Sequence, residues 1–403
     1  TSLSVFIVVI RIGEKNVNRR VEIVKKIQRN KNVINECEDL EHLYTFNNFP
    51  VFMGCMDQPS EKDILVDMQW EISKSSGVIQ LNPLLPLDIL YPESHGSGNV
   101  GSMWTEHHQI FANFIQSQAP RSVLEIGGAH GILSREYKKL NKIDWTILEP
   151  NPSPAEGVSA EFIEGFFDDN FTFDGEFDTI IHSHVFEHVY YPDEFIKHIS
   201  GFLENGQNLI FSLPNMEQML KRKYTNCINF EHTVFITEPY VEHLLSKHGF
   251  RQISKEYFKT DHSIFYAYVK DSSTPLIELP KGLYEHNKIL YLDYVDYHNK
   301  LISDLNVKID KTSNDRPIYL FGAHVFAQYL IKFGLNIDRI VCLLDNDIKK
   351  QGKRLYGTSM IVESPKMLAG IDNPIVILKA GVYNKEVSDD ILDNINSGTI
   401  FWE

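Results

Sequence analysis

The stretch Val123–Gly131 (VLEIGGAHG) constrains the possible folds of this chain more than any other feature. An apolar run leads into a glycine-rich turn, and helix-forming residues follow from Ile132. A continuous apolar run is typical of a strand that is buried on both faces of a parallel sheet. A strand, a glycine turn and a helix in succession are typical of open α/β sheets, which bind ligands at the carboxyl ends of their strands. We therefore predict a doubly wound, mostly parallel sheet with a ligand site at this turn.

The same alternation of strands and helices continues from Ala119 to about Lys270. The predicted strands are Ser122–Ile126, Trp145–Leu148, Phe177–His182 and Gln207–Ser212. The predicted helices are Ile132–Leu140, Pro192–Phe202 and Tyr240–His248, followed by an antiparallel hairpin at Tyr257–Val269. A second alternation begins at Pro317–Gly322, after a charged helix near Tyr284–Val307. A chain of 403 residues is long enough for several domains, and we predict three, at 1–118, 119–270 and 271–403.

Acidic residues beside the turn indicate the kind of ligand. The turn lacks the GxGxxG spacing that places a pyrophosphate at a helix N-terminus. Glu125 stands two positions before the first glycine, where its carboxylate would repel a pyrophosphate and attract an ammonium group. A second acid, Glu149, ends the next predicted strand. These features argue against a nicotinamide dinucleotide and favour a ligand that carries an amino group.

Two clusters of polar residues follow the next predicted strands. The first is His182–His188 (HSHVFEH) and the second is Asn229–His232 (NFEH). Because both clusters leave the carboxyl ends of neighbouring strands, we expect them to converge over the ligand. Histidine is suited to remove a proton near neutral pH, so the clusters predict a general base.

A metal site is the competing interpretation of these histidines. His184–His188 fits the HxxEH pattern of one class of metalloproteases. The match is short and its position beside the glycine turn suits a peptidase poorly, so we predict no metal. For each histidine taken singly, an ordinary hydrogen-bonded role in a loop stays open.

Composition limits the classes of partner that this chain is expected to bind. A net charge of −15 argues against nucleic acid, because phosphate contacts require clustered lysine and arginine. The four cysteines form no CxxC pair, which argues against a disulfide framework or a zinc knuckle. No apolar run is long enough to span a membrane, and Ser2–Ile10 is interpreted as a strand, so we expect a cytoplasmic protein. The missing initial methionine suggests a piece of a longer polypeptide or processing of the N-terminus. The oligomeric state stays open.

The turn resembles the ExGxGxG motif of the class I methyltransferases, with Ala129 in place of the middle glycine. This resemblance implies a Rossmann-like methyltransferase core that binds S-adenosyl-L-methionine. It implies that the turn wraps the methionine part, that Glu149 holds the ribose hydroxyls and that Phe167 packs near the adenine, although Phe167 fits the core equally well. The predicted cofactor-binding residues are Glu125, Gly127, Gly128, Ala129, Gly131, Glu149, Phe167 and His184.

The whole layout resembles the deoxysugar C-methyltransferases, which carry a small N-terminal zinc-binding domain, a methyltransferase core and a C-terminal Rossmann-like domain. The resemblance rests on Leu90–Glu93 (LYPE), the cofactor turn, the polar clusters and the C-terminal segments Tyr319–Ala323 and Leu344–Asp347. It implies a catalytic group of His232 as the base with Glu231 and His188. The predicted substrate contacts are Tyr91, His95, His107, His108 and Asn229.

Departures from that family shape the functional prediction. Serines occupy Ser73–Gly77, where the family has its second zinc knuckle, and Cys37 alone remains near the first, so we predict a degenerate domain without zinc. The family's substrate-site tyrosines are replaced at Ser94–Gly96 and near Asn229. We therefore predict O-methylation of a sugar, nucleotide-linked or in a glycan. C-methylation of a nucleotide-linked keto-deoxysugar and a non-catalytic module that binds a nucleotide sugar stay open, whereas the missing GxGxxG disfavours an NAD(P)-dependent oxidoreductase.

Overall fold

The structure is a computed structural model that describes residues 26–90, 102–168 and 170–403. The strands of these residues form four sheets. The apolar segment Ser2–Ile10, interpreted above as a strand, lies outside the described residues. Among the residues described, no helix is both long enough and apolar enough to cross a membrane.

The N-terminal part forms a small antiparallel sheet. Its elements are β1 (Leu40–Pro50), β2 (Cys55–Met56), β3 (Leu65–Ser73), β4 (Ile79–Leu81) and the short helix α1 (Leu87–Leu90). The sheet has the order β1-β3-β4. In β3, alternate residues from Val66 to Ile72 are fully buried, which is the period of two expected for a strand with one face on the core.

A seven-stranded sheet forms the centre of the molecule. Its strands are β5 (Ser122–Ile126), β6 (Asp144–Glu149), β7 (Glu161–Glu164), β8 (Thr179–Ser183), β9 (Asn208–Pro214), β10 (Phe250–Phe258) and β11 (Ser263–Lys270). Their order is β10-β11-β9-β8-β5-β6-β7. β11 runs antiparallel to the other six strands, which are parallel to one another. The order reverses on either side of β5, which is where open α/β sheets bind ligands.

Helices cover both faces of this sheet. They are α2 (Ser102–Ser117), α3 (Ile132–Lys138), α4 (Pro192–Phe202), α5 (Met216–Lys221), α6 (Glu238–Lys247) and α7 (Lys259–His262). Phe111 and Ile115 of α2 pack in a cluster on one face, and Ile196 of α4 and Leu244 of α6 pack in a cluster on the other. Burial of each such side chain contributes about 1.5–3 kcal/mol, so the helices hold the strand ends in fixed positions.

The predicted α/β class with a mostly parallel sheet is confirmed. β5 and α4 begin and end where the hydrophobic pattern predicts them. Helix α2 and the edge strand β7 are not among the predicted elements. The four residues of β7 are half-buried or exposed, so the strand leaves no apolar run to detect.

The C-terminal part contains a third sheet, and all its strands are parallel. The elements are α8 (Leu283–Lys311), β12 (Ile318–Phe321), α9 (Val325–Lys332), β13 (Ile340–Leu344), β14 (Arg354–Leu355), β15 (Val362–Glu363), β16 (Ile375–Leu378), α10 (Asn384–Asn394) and β17 (Ile400–Trp402). The sheet has the order β15-β13-β12-β16-β17. This agrees with the Rossmann-like character predicted for the region.

The N-terminal and C-terminal parts share a core. Strands β2 and β14 pair to form the fourth sheet, although they lie far apart in the sequence. One apolar cluster contains Trp70 of β3, Phe230 of the second polar cluster, Tyr291 of α8 and Tyr329 of α9. The segment that carries the second polar cluster thus packs between the N-terminal and C-terminal parts.

Candidate active site

The glycine turn between β5 and α3 has the backbone shape that the sequence predicts. Gly127 and Gly131 have positive φ angles of 70° and 71°, and Ala129 also lies in the left-handed region at 46°. A side chain at Gly128 would come 2.8 Å from Cδ of Glu125, so only glycine fits there. The turn thus presents bare backbone at the switch point of the sheet.

Glu149 lies across this turn at the end of β6. Its Oε2 accepts a hydrogen bond of 3.0 Å from the Ala129 amide, and its Oε1 accepts one of 3.2 Å from the Asn151 amide. A carboxylate has about four acceptor sites, so Glu149 keeps capacity for hydroxyl groups of a ligand. The ribose role of Glu149 stays a prediction.

Glu125 lies beneath the turn. The side chain is 2% exposed, and Oε2 accepts a hydrogen bond of 2.7 Å from Trp145 Nε1. Burial raises the pKa of Glu125 to about 7, and the charge of nearby Glu149 acts in the same direction. In this structure the Glu125 carboxylate is buried and packs against the turn, whereas the sequence analysis predicts that it faces the ligand.

Phe167 lies among other aromatic rings. Its ring centroid is 4.6 Å from that of His198 and 5.3 Å from that of Phe202, and it packs against the apolar cluster of the central sheet. This placement agrees with the core alternative left open for Phe167.

The two predicted polar clusters meet at the carboxyl edge of the sheet. We call Glu187, His188 and His232 the acid–histidine group, because one ligand-type atom of each lies within 4.8 Å of the others. His188 also places Nδ1 3.8 Å from Oε2 of Glu231. The structure therefore brings together all three predicted catalytic residues, and it adds Glu187, which the sequence analysis did not name.

Glu187 is a fully buried carboxylate that accepts no hydrogen bond. The ring nitrogens nearest its Oε1 are His184 Nδ1 at 3.3 Å and His188 Nε2 at 3.6 Å. Burial raises the pKa of Glu187, while the neighbouring His188 and His232 act in the opposite direction. A buried carboxylate is stabilised by cationic or ligating partners, which histidines can supply.

His232 is oriented by the loop that precedes it. Its Nδ1 lies 2.9 Å from the carbonyl oxygen of Cys227. Asn229, which the sequence analysis predicts as a substrate contact, is 3% exposed, and its Oδ1 accepts hydrogen bonds from the amides of Glu231 and His232. Asn229 thus shapes the loop that carries the base.

A second group of histidines lies beside the first, and we call it the histidine trio. His107 of α2, His184 after β8 and His262 of α7 each place one ring nitrogen within 4.8 Å of the other two. His107 was predicted as a substrate contact and His184 as a cofactor contact, whereas His262 was not predicted. The loop of His184 touches the cofactor turn, because a Cβ at Gly127 would meet Val185 at 2.7 Å.

The other predicted substrate contacts are His108, whose ring lies 5.6 Å from that of His107, and Tyr91 and His95. His108 is half-buried, with Nδ1 2.7 Å from the carbonyl oxygen of Trp104. Tyr91 and His95 lie outside the described residues. The residues of the HxxEH pattern meet at Glu187, whose Oε1 lies 3.3 Å from His184 Nδ1 and 3.6 Å from His188 Nε2.

A polar cavity of about 580 Å³ lies between the central and C-terminal parts. It is lined by Met103, Tyr224, Lys259, Asp261, Gly381, Val382, Asn384, Lys385, Ser388 and Glu403. Tyr224 begins the loop that ends at His232, so one short segment connects the cavity wall with the predicted base.

Comparison with known proteins bears on the central region. Residues 104–255 match a family model described as a methyltransferase domain. The central part of this chain is a methyltransferase domain. S-adenosyl-L-methionine is its cofactor, as the glycine turn and Glu149 predict. A search among curated proteins found no match.

Solved structures similar to this chain include several methyltransferases. An N-methyltransferase of Bradyrhizobium japonicum, crystallised with S-adenosyl-L-homocysteine, covers 44% of this chain and 95% of its own, at 14% identity and a TM-score of 0.35. The magnesium protoporphyrin IX methyltransferase of Synechocystis covers 44% and 90%, at 15% identity and a TM-score of 0.35. The Haloferax volcanii complex between the Trm112 methyltransferase activator and a methyltransferase covers 41% and 91%, at 14% identity and a TM-score of 0.34.

The residues of the turn fit this cofactor. Gly127 and Gly131 give the turn its left-handed backbone conformation, and Glu149 offers acceptors at the neighbouring strand end. S-adenosyl-L-methionine has an amino-acid group and ribose hydroxyls, which match these two features.

Proposed function

We propose that this protein transfers a methyl group from S-adenosyl-L-methionine to a hydroxyl group of a sugar, nucleotide-linked or within a glycan, with His232 as the general base. The observation that carries the proposal is the contact of His232 Nδ1 with the Cys227 carbonyl. A carbonyl oxygen only accepts hydrogen bonds, so Nδ1 carries the ring proton and Nε2 keeps a lone pair. The lone pair is what a base needs.

The surroundings of His232 support the same role. Burial lowers the pKa of His232, and the charge of Glu187 acts in the opposite direction. The imidazole is therefore neutral before the reaction, and the buried carboxylate favours the cation that forms once a proton has been taken. A carboxylate beside a histidine base commonly has this function.

Each group of the site then has a part in the reaction. When bound, S-adenosyl-L-methionine supplies a methyl group on a positively charged sulfur atom. The turn and Glu149 hold the donor, and Nε2 of His232 accepts the proton of the attacking hydroxyl. Glu231 and His188, which lie beside the base, offer hydrogen bonds to neighbouring hydroxyls. Holding the acceptor oxygen close to the methyl group contributes most of the rate.

Two features support a sugar as the acceptor. The first is the resemblance to the deoxysugar methyltransferases, which rests on motifs from Leu90 to Asp347. The second is the cavity of about 580 Å³, whose lining mixes acidic, basic, amide and hydroxyl side chains such as Asp261, Lys259 and Asn384. Such a lining suits a ligand with many hydroxyl groups.

The test is a pair of substrates given to the purified chain with S-adenosyl-L-methionine. One is a nucleotide-linked 4-keto-deoxysugar and the other is its reduced 4-hydroxy form, with the product and the methylated atom read by mass spectrometry and NMR. Methylation of a hydroxyl supports the proposal. Methylation of carbon on the keto sugar alone would establish the C-methylation alternative. If calorimetry detected no donor binding, the non-catalytic module would replace both.

A further inference from the structure

The histidine trio lies at the same edge of the sheet as the acid–histidine group, and His184 contacts Glu187 of that group. Its members come from three elements, since His107 lies on α2, His184 follows β8 and His262 ends α7. Here one ring nitrogen of each residue lies within 4.8 Å of the other two. We propose that the histidine trio binds a divalent first-row transition metal such as zinc.

The hydrogen bonds around the trio resemble those of metal ligands. His107 Nε2 lies 3.0 Å from Ser212 Oγ, and His184 Nε2 lies 3.0 Å from Ser263 Oγ. His262 Nδ1 lies 2.7 Å from the same hydroxyl of Ser263. An outer partner for one ring nitrogen is the usual arrangement of a metal-binding histidine, because it fixes the tautomer and the ring orientation.

A buried nitrogen without a partner points to a missing ligand. His107 is fully buried, and its Nδ1 has no hydrogen-bond partner. An unpaired buried polar atom costs about 1–3 kcal/mol, which coordination of a metal would offset.

The donor set determines the class of metal. Three neutral imidazoles suit zinc and other late first-row ions and are poor ligands for magnesium or calcium, which take oxygen. Metal–nitrogen bonds of about 2.0–2.1 Å put tetrahedral ligand atoms about 3.4 Å apart, which small side-chain rotations can reach from the present spacing. Three ligands leave the fourth position for an oxygen of water or of a hydroxyl group.

The experiment is a titration of metal-depleted protein with Co²⁺ alone, without any methyl donor, followed by visible d–d absorption and thermal unfolding. We expect one ion per chain, the absorption of a tetrahedral site and a raised unfolding temperature. H107Q and H262Q should each weaken binding more than about 100-fold, because even the loss of an outer partner costs about 10–100-fold. S212A, which removes only the outer partner of His107, should weaken binding about 10–100-fold.

Two further variants locate the ion. H286Q removes a half-exposed surface histidine and should leave binding unchanged. E187Q removes the carboxylate that lies 3.3 Å from Nδ1 of His184, so as the loss of an outer partner it should weaken Co²⁺ binding about 10–100-fold without abolishing it. Should H107Q or H262Q fail to fold, as judged by circular dichroism, S212A carries the test. The proposal is wrong if the parent chain binds no Co²⁺, if S212A and the folded trio variants bind it normally, or if E187Q alone abolishes binding. None of these outcomes depends on the proposed methyl transfer.

Discussion

Arg354 donates two hydrogen bonds of 2.7 Å to the two carboxylate oxygens of Asp63, which lies 291 positions earlier in the sequence. The Arg354 side chain is 9% exposed and that of Asp63 is 4% exposed. The pair lies beside the pairing of β2 with β14 and fastens the N-terminal part of the chain to the C-terminal sheet. A bidentate pair in a buried place fixes geometry as well as charge.

Removal of one partner of this pair should destabilise the whole protein. We expect R354A to lower the free energy of unfolding by about 3–5 kcal/mol, because Asp63 would stay buried without its cation. The measurement is urea denaturation followed by circular dichroism. K353A is the matched control, since Lys353 lies 3.7 Å from an Asp57 side chain that is 77% exposed, and it should cost less than about 1 kcal/mol. Equal losses in both variants would contradict the structure.

Replacement of His232 should separate chemistry from donor binding. We expect H232A to lower kcat about 10²–10⁴-fold, the usual contribution of a general base, while the Kd for S-adenosyl-L-methionine stays within about twofold. Both quantities can be measured on one preparation by steady-state kinetics and calorimetry. H248Q is the control, because His248 pairs with Asp193 away from the turn. A parallel loss of donor affinity would show that His232 is structural.

Replacement of Glu149 should weaken binding of the methyl donor and leave the base unchanged. We expect E149Q to raise the Kd for S-adenosyl-L-methionine roughly 10- to 100-fold, because hydrogen bonds to a charged group contribute about 1.5–3 kcal/mol. Calorimetry gives this value directly. E164Q changes the exposed acid that ends the neighbouring strand β7 and should leave the Kd unaltered. Unchanged binding in E149Q would remove Glu149 from the cofactor site.

Glu125 should make the stability of the donor-free protein depend on pH. Its pKa of about 7 in the folded protein lies above the ordinary 4.5, so the folded state holds the proton more tightly than the unfolded chain. The stabilisation is complete below pH 4.5 and is lost as the pH rises through 7. Between pH 5 and pH 8 the parent chain should lose about 2–3 kcal/mol relative to E125Q. The assignment is wrong if the difference in free energy of unfolding between the two proteins is the same at every pH.

The sequence predicted the central sheet well because its strands are buried on both faces. β5 is apolar apart from Ser122 and Glu125 and is almost wholly buried, and α4 begins at Pro192 and ends shortly before Gly206. Helix α2 escaped prediction because its polar residues include His107 and His108, which obscure the apolar face formed by Phe111 and Ile115.

The site was predictable only in part, because the motifs do not show burial or contacts between distant segments. Motifs place His188, Glu231 and His232 after neighbouring strands, and the fold brings them together. Glu187 lies inside the first motif, but a carboxylate beside two histidines gives no sign of its burial. His262 stands more than 70 residues from His184 in a charged segment, so only the antiparallel strand β11 brings the two rings close.

The shared core of the two ends also sets an order of folding during synthesis. Trp70 and its neighbours in β3 leave the ribosome early, whereas Tyr291 and Tyr329, which cover them, follow much later. At about 5–20 residues per second, Asp63 waits roughly 15 to 60 s for Arg354 to be made. The contacts that complete the central sheet lie within a far shorter stretch, so this sheet can form first. The nascent N-terminal sheet therefore holds an unburied apolar face until Tyr329 has emerged, and it is the segment to which a cell's chaperones would bind.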